Sequence, residues 1–488
     1  MRLIQRVQRL GFAALAVTAM LAASGQTAVA QDRPVRGGKM VATVLELPQS
    51  LDPLLGNSAS IDPLTLNLIY DTLVVWGLDG KYQPGLADSW SFSADGKALT
   101  LNLHPGVKFH DGTPFNAAAV VFNLERAISE KTNSPYRPQV SVIDGVEAVS
   151  ELVARIKLKS PSGAIIGALT GQPGMMASPA AVQASGQDFG RKPVGTGPFK
   201  FVEWPSGGNI TVGRSAAYWR AGADGQPLPY LDNVTVRAIT NSSVKLVELE
   251  TDNVQLIDNI VPREFDRVEK SPVMELVPVE IGVQQWYAVN TTKPPFNNIT
   301  VRKAFQYAMN RKQMVDLVAQ GRGEILPSMF TKSEWAYEAD LDPYKYDAAK
   351  AKAMLAEAGY PNGLEIELTT IQREPDSTVA QIIQSQLAAL GVKVKLDVLD
   401  RQAFITKNEA AQHQMSMGIS PIPRGDPDVL FTLFFSRDGY ARSGKPILDV
   451  ATLVEQGRAE VDQAKRKAIY REAQAKMLDD ASYGWLFL

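Results

Sequence analysis

The sequence predicts an α/β protein of more than one domain, and three observations carry that prediction. The chain has 488 residues, more than one ordinary hydrophobic core organises, so two or three domains are expected. Its second half alternates helical and strand patterns at the spacing of α/β units. Near residue 110, a decapeptide joins an alternating segment to an amphipathic one through a tight turn.

The first 30 residues differ from the rest. Arg2, Arg6 and Arg9 form a positive n-region, Leu10 to Ala23 is an apolar run too short to span a bilayer, and Ala28-Val29-Ala30 has the small-x-small form of a cleavage site. This reads as an export signal removed after Ala30. Losing three arginines and no acid takes the formal charge from −2 to −5. No later segment approaches about 18 uninterrupted apolar residues, so the mature chain is expected to be soluble. Cysteine is absent, so the exported chain must fold without disulfides and carries no cysteine for a lipid. The small net charge, with no Lys/Arg cluster beyond the N-terminus, argues against nucleic acid as a partner.

Landmarks then follow in order. Gly37-Gly38-Lys39-Met40 opens a strand and Leu51-Asp52-Pro53 is a turn. Ile69-Tyr70-Asp71-Thr72-Leu73 ends a helix, and Gly85 to Trp90 precedes a hairpin at Asp95-Gly96-Lys97. Residues 106–115 read GVKFHDGTPF. Val107 and Phe109 alternate with Lys108 and His110, Asp111-Gly112 is a turn pair, and Pro114 leads into a helix over Asn116 to Ala127. Pro193 to Phe199 is rich in Gly and Pro, and Tyr218-Trp219 and Leu231-Asp232 come next. A strand from Gln284 to Asn290 runs into Lys293-Pro294-Pro295-Phe296-Asn297, and Val301, Phe305 and Ala308 mark a helix. Asp347 to Ala358 is a helix closed by Gly359 and Pro361. Leu364, Ile366 and Leu368 alternate as a strand, Val379 to Leu390 is a helix ending at Gly391, and Val392, Val394, Leu396 and Val398 alternate again.

The decapeptide and these landmarks closely resemble the dipeptide/oligopeptide class (family 5) of periplasmic solute-binding proteins, the capture components of ABC importers. The resemblance covers essentially the whole mature chain up to its last few residues. It implies a two-lobed periplasmic-binding-protein fold of type II, large class, with an extra small domain in the first lobe. Lobe I is expected over 31–73 with 200–290 and 470–488, the extra domain over 74–199, and lobe II over 291–469. Crossing segments are expected near Pro198 to Lys200 and Val289 to Thr291, with a return around Tyr470. The resemblance further implies a periplasmic monomer that closes its lobes on a peptide or peptide-like polar solute and delivers it to the membrane subunits of an ABC permease. Family members usually carry another strand or two beyond Tyr483 to Leu488, so either the first lobe is trimmed or the sequence is incomplete.

Catalytic motifs fail on inspection. Gly439 to Lys445 (GYARSGK) follows most of a Walker A pattern, but Pro446 stands where a hydroxyl for magnesium is required. There is no G-x-S-x-G elbow, no H-E-x-x-H and no cysteine nucleophile. Histidine occurs only at His104, His110 and His413, and the first two read as surface or turn residues. No enzyme, cofactor or metal site is expected.

Binding residues are better represented. Successive strand residues point to opposite faces, so one of Trp286 and Tyr287 faces the core and the other the cleft, unless both simply pack. An aromatic on the corresponding strand contacts ligand in the family, which favours Trp286 in the cleft. Ser420 to Phe431 (SPIPRGDPDVLF) corresponds to the family's pocket loop. In peptide-binding members an aspartate four residues before the motif's proline anchors the ligand's α-amine; counted back from Pro427, that position here is Pro423. Arg424 stands beside it, always charged and shaped for bidentate carboxylate or phosphate contacts, so an anionic or neutral polar ligand group is expected. The alternative places Arg424 in a surface ion pair. Asp426 and Asp428 flank Pro427, on ligand or shaping the loop. Asn57 and Ser58 occupy a stretch that lines the cleft in relatives, and Trp485 on the last apolar strand completes the candidate set. Three other readings stand: a protein presenting ligand to a chemoreceptor or sensor; a binder of an opine, glutathione, sugar or metal chelate; and a secreted hydrolase, which needs a nucleophile–base pair.

Overall fold

The computed structural model describes residues 34–488 apart from 45, 57–62, 78, 259, 278–282, 422–425 and 436–441. The export signal over 1–30, Asn57, Ser58 and Arg424 therefore lie outside the described residues.

The first half builds from β1 (Lys39–Val44) and a short hairpin of β2 (Val74–Trp76) and β3 (Tyr82–Pro84). Next come β4 (Ala87–Phe92), β5 (Ala98–Leu103), helix α1 (Ala117–Ile128), β6 (Ile143–Ser150) and β7 (Val153–Leu158). These four strands make an antiparallel sheet in the order β4-β5-β7-β6. Helix α1 starts where Asn116 accepts from the Ala119 N–H, and it buries Ala117, Val120, Leu124 and Ala127 on one face. Strands β8 (Phe199–Glu203), β9 (Ile210–Arg214) and β10 (Asn233–Ala238) return to β1 in the order β1-β10-β9-β8, with β1 and β10 parallel.

The decapeptide is tighter than an alternating strand. Its backbone closes through Phe109 N–H to Thr113 O and Phe115 N–H to Val107 O, each 2.9 Å, and only Lys108 and Pro114 form a bridge. Val107 and Phe109 are buried as their alternation predicted. His110 lies in the turn, as one of its two readings has it, and is partly buried: its Nε2 donates to Gly197 O at 2.9 Å and its Nδ1 accepts from Gly195 N–H at 3.3 Å. Burial lowers the pKa of this ring, consistent with a neutral imidazole that both donates and accepts. The signature is thus tied to the Pro193–Phe199 segment.

The second half is one α/β layer system. Strand β11 (Val283–Val289) leads to α2 (Ile299–Ala308) and α3 (Ala348–Glu357), capped by Asp347. Then follow β12 (Glu365–Ile371), α4 (Asp376–Ala388), β13 (Lys393–Leu399), β14 (Met415–Pro421), α5 (Asp428–Phe435), α6 (Leu448–Ala459), α7 (Gln463–Asp480) and β15 (Tyr483–Phe487). The sheet order is β13-β12-β14-β11-β15. β11 pairs with β14 on one side and β15 on the other, so we place residues 283–289 and 483–487 with lobe II. Tyr470, where a return was expected, lies inside α7, stacked on Phe431 at 4.9 Å. Alternation reveals which face a strand residue takes, but not which strand lies beside it.

Candidate functional site

The centre of the lobe II sheet places Trp286 and Tyr287 on opposite faces, as period-2 geometry requires, and both are fully buried. Each ring lies on a glycine of a neighbouring strand. Trp286 faces Gly418 on β14, where a Cβ would come within 2.2 Å of the indole. Tyr287 faces Gly484 on β15, where a Cβ would meet its ring at 2.1 Å. A glycine inside a strand often marks such close approach.

Tyr287 joins a mainly aliphatic cluster with Val301, Leu355, Ile366, Leu368, Ile383 and Leu387, which also holds Phe296, Phe305 and Phe487. Trp286 joins a different one. Its ring centroid lies 5.1 Å from Phe434, 5.9 Å from Tyr483 and 6.0 Å from Trp485, and Tyr483 stacks on Trp485 at an interplanar angle of 11°. The Arg442 guanidinium stands 4.8 Å from the Trp286 centroid, a cation–π contact. Trp485 is only 3% exposed, and its indole N–H finds no hydrogen-bond partner among the described residues. Buried indole N–H groups usually have partners.

The aromatic run continues through Phe435 and Phe431 to Tyr470, and from there to a buried ion-pair network. Asp426 takes two bonds of 2.7 Å from the Arg466 guanidinium, one of 2.9 Å from the Tyr82 hydroxyl and one of 2.9 Å from Asp428 N–H. Both charged side chains of the pair are almost wholly buried, at 3% and 1% exposure. Asp428 pairs with Arg458 at 3.1 Å; burial raises its pKa while Arg458 opposes the rise. The structure therefore brings Trp286 and Trp485 together, sets Tyr287 on the opposite face, and engages Asp426 with four protein donors.

Two further groups flank this face. Glu334 is buried and accepts from Thr331 N–H at 2.8 Å and from its hydroxyl at 3.1 Å; burial pushes its carboxyl up to about 8 against those two donors. His413 donates from Nε2 to Arg442 O at 2.7 Å, and burial holds its pKa down at about 4. Sequence reasoning missed Tyr82, Arg442, Arg466 and the aromatics Phe434 and Tyr483. Only Gly418 and Gly484, glycines inside strand patterns, carried a readable signal.

Among the described residues, no group of three or more His, Asp or Glu side chains is placed to hold a metal ion. No described helix is long and apolar enough to cross a membrane.

Comparison with known proteins agrees with this architecture. Residues 81–442 match the family model "Bacterial extracellular solute-binding proteins, family 5 Middle". The glutathione-binding protein GsiB of Pectobacterium atrosepticum is 32% identical over 490 residues, covering 96% of this chain and 92% of that relative. Among solved structures, the periplasmic binding protein DppA of Helicobacter pylori in complex with the peptide STSA superimposes with a TM-score of 0.75 at 29% identity, over 93% of each chain. The binding protein AgaA of A. tumefaciens R10 in complex with agropinic acid gives a TM-score of 0.73 at 28% identity, over 92% of this chain and 91% of that one. The match over most of the length, on a two-lobed α/β scaffold, shows that this chain belongs to family 5 of the bacterial extracellular solute-binding proteins of ABC importers.

Proposed function

We propose that this protein captures a small amino-acid-derived solute bearing at least one carboxylate, in the periplasm, and delivers it to the membrane subunits of an ABC permease. The observation that carries the ligand class is the pocket loop. Pro423 occupies the position of the amine-anchoring aspartate, and Arg424 follows it at once. A proline can neither attract an ammonium nor donate, whereas a guanidinium forms bidentate bonds with a carboxylate. Glutathione, the peptide STSA and agropinic acid, named for three relatives, share amino-acid origin and carboxylate chemistry, which supports the same class here.

The residues assigned to the site are Arg424 for the carboxylate, with Trp286 and Trp485 as the aromatic wall. Tyr287 supports that wall from the far side of the sheet. Asn57 and Ser58 are assigned to the lobe I side, and Asp426 holds the pocket loop in place through Arg466. The protein performs no chemistry on the solute. Closure follows from population shift: a solute that touches both lobes only when they meet stabilises the closed form.

Isothermal titration with glutathione, short free-amine peptides and an opine tests the reading. Binding of at least one of these solutes, weakened tenfold or more by Arg424→Ala, is expected. Unchanged affinity in Arg424→Ala would remove the carboxylate assignment.

A further inference from the structure

We propose that Tyr82, Gly163 and Gly167 of the small domain form a closure latch against Asp426 and Arg466 of lobe II, one that acts without solute. The inference rests on the two-lobed capture reading and adds to it a contact that sets how often the empty protein is closed.

Two hydrogen bonds among the described residues join the small domain to lobe II. The Tyr82 hydroxyl donates to Asp426 Oδ2 at 2.9 Å, joining residues 344 positions apart. Gly163 N–H donates to Arg458 O at 3.0 Å. The surrounding fit leaves no space for a methyl group. A Cβ on Gly163 would lie 2.3 Å from Glu460 O and 2.9 Å from Arg466 Cδ, and one on Gly167 would lie 2.4 Å from Asp426 Cβ. Bare backbone on one side thus meets an ion pair on the other.

That division of labour makes the contact reversible. The Asp426–Arg466 pair is internal to lobe II, and Arg466 Nε is also satisfied by Gly457 O at 2.9 Å. Opening the lobes would release one hydroxyl and two stretches of glycine backbone into water, and would leave no buried charge without its partner. Breaking the ion pair itself would be far costlier. The Tyr82 bond, made to an ionised acceptor, is strong enough to bias an equilibrium and weak enough to be broken in each transport cycle. A solute binding the closed form gains apparent affinity in proportion to the fraction already closed.

The absence of cysteine makes a distance measurement clean. Val149→Cys on β6 and Val398→Cys on β13, positions 47% and 49% exposed, would carry a dye pair for single-molecule energy transfer on protein stripped of solute by unfolding and refolding. Tyr82→Phe is expected to lower the closed-to-open ratio about tenfold, the scale of one hydrogen bond to a charged group. Gly167→Leu is expected to abolish the closed population. If both variants keep the wild-type distance distribution, the proposal is wrong. If Tyr82→Phe lowers the melting temperature and leaves the distances unchanged, the contact is a fixed part of the fold, and the proposal is again wrong. Because no solute is present, the result does not depend on the carboxylate assignment.

Discussion

Both faces of the lobe II sheet are buried, yet they are built from different chemistry. Behind Tyr287 the packing is mainly aliphatic, with Val301, Leu355, Ile366, Leu368 and Leu387 filling space between sheet and helices and Phe296, Phe305 and Phe487 among them. In front of Trp286 lie Phe330, Phe431, Phe434, Phe435, Tyr470, Tyr483 and Trp485, and the pairs Asp426–Arg466 and Asp428–Arg458 stand at the edge of this group. An aliphatic core needs only volume and pattern. Aromatic edges, indole donors and buried ion pairs are directional, and ion pairs carry a desolvation penalty that apolar side chains avoid. We assign the first face to holding the fold together and the second, with its directional groups, to recognition and closure.

The largest effect expected is on the directional face. Arg466→Ala would leave Asp426 buried without its cation and lower unfolding free energy by about 3–5 kcal/mol in a urea titration. Wild-type stability in that variant would mean the pair is not what organises the pocket loop. On the aliphatic face, Leu368→Ala should lower stability by about 2–5 kcal/mol through its cavity, with solute affinity of the folded protein unchanged. A large affinity loss in Leu368→Ala would erase the contrast between the faces.

A pH effect of intermediate size follows from Glu334. Its carboxyl titrates near 8 when folded against an ordinary value of 4.5, so the folded state binds the proton more tightly than the unfolded chain. The stability this supplies is present at low pH and is lost as pH rises through 8. His413, held down at about 4 from 6.5, acts in the opposite sense at lower pH, so the window from 6.5 to 8 isolates Glu334. Glu334→Gln should flatten the decline in melting temperature across that window; an unchanged slope would assign the decline to another group.

The smallest structural effect is expected from Trp485→Phe. It keeps an aromatic ring in the cluster but removes part of the indole, including the N–H that has no partner among the described residues. The cavity left by the smaller ring should lower stability by about 1–2 kcal/mol, while affinity for a solute that accepts this hydrogen bond falls several-fold. A large stability loss with unchanged affinity would make Trp485 a packing residue.

Much of this was legible in the sequence, and the limits have physical causes. The decapeptide and the helix–strand alternation after residue 347 identified family and fold class because both are local patterns. The opposite facing of Trp286 and Tyr287 followed from strand geometry alone. Strand partnership was not legible, since alternation says nothing about neighbours, and only the fold shows β11 and β15 in one sheet with β12–β14. Arg466 and Asp426 are separated by 40 residues and Tyr82 lies 344 from Asp426, so only the folded chain brings them together. Gly418 and Gly484 did carry a signal, a missing side chain inside a strand, that points directly at the two aromatic rings.

The most direct test is native mass spectrometry of freshly purified protein, followed by denaturation and identification of any released small molecule. The account predicts an amino-acid-derived solute with at least one carboxylate, such as glutathione, an opine or a short peptide whose amine is not the anchored group. A neutral sugar, or a solute with no carboxylate that rebinds with full affinity, would contradict it.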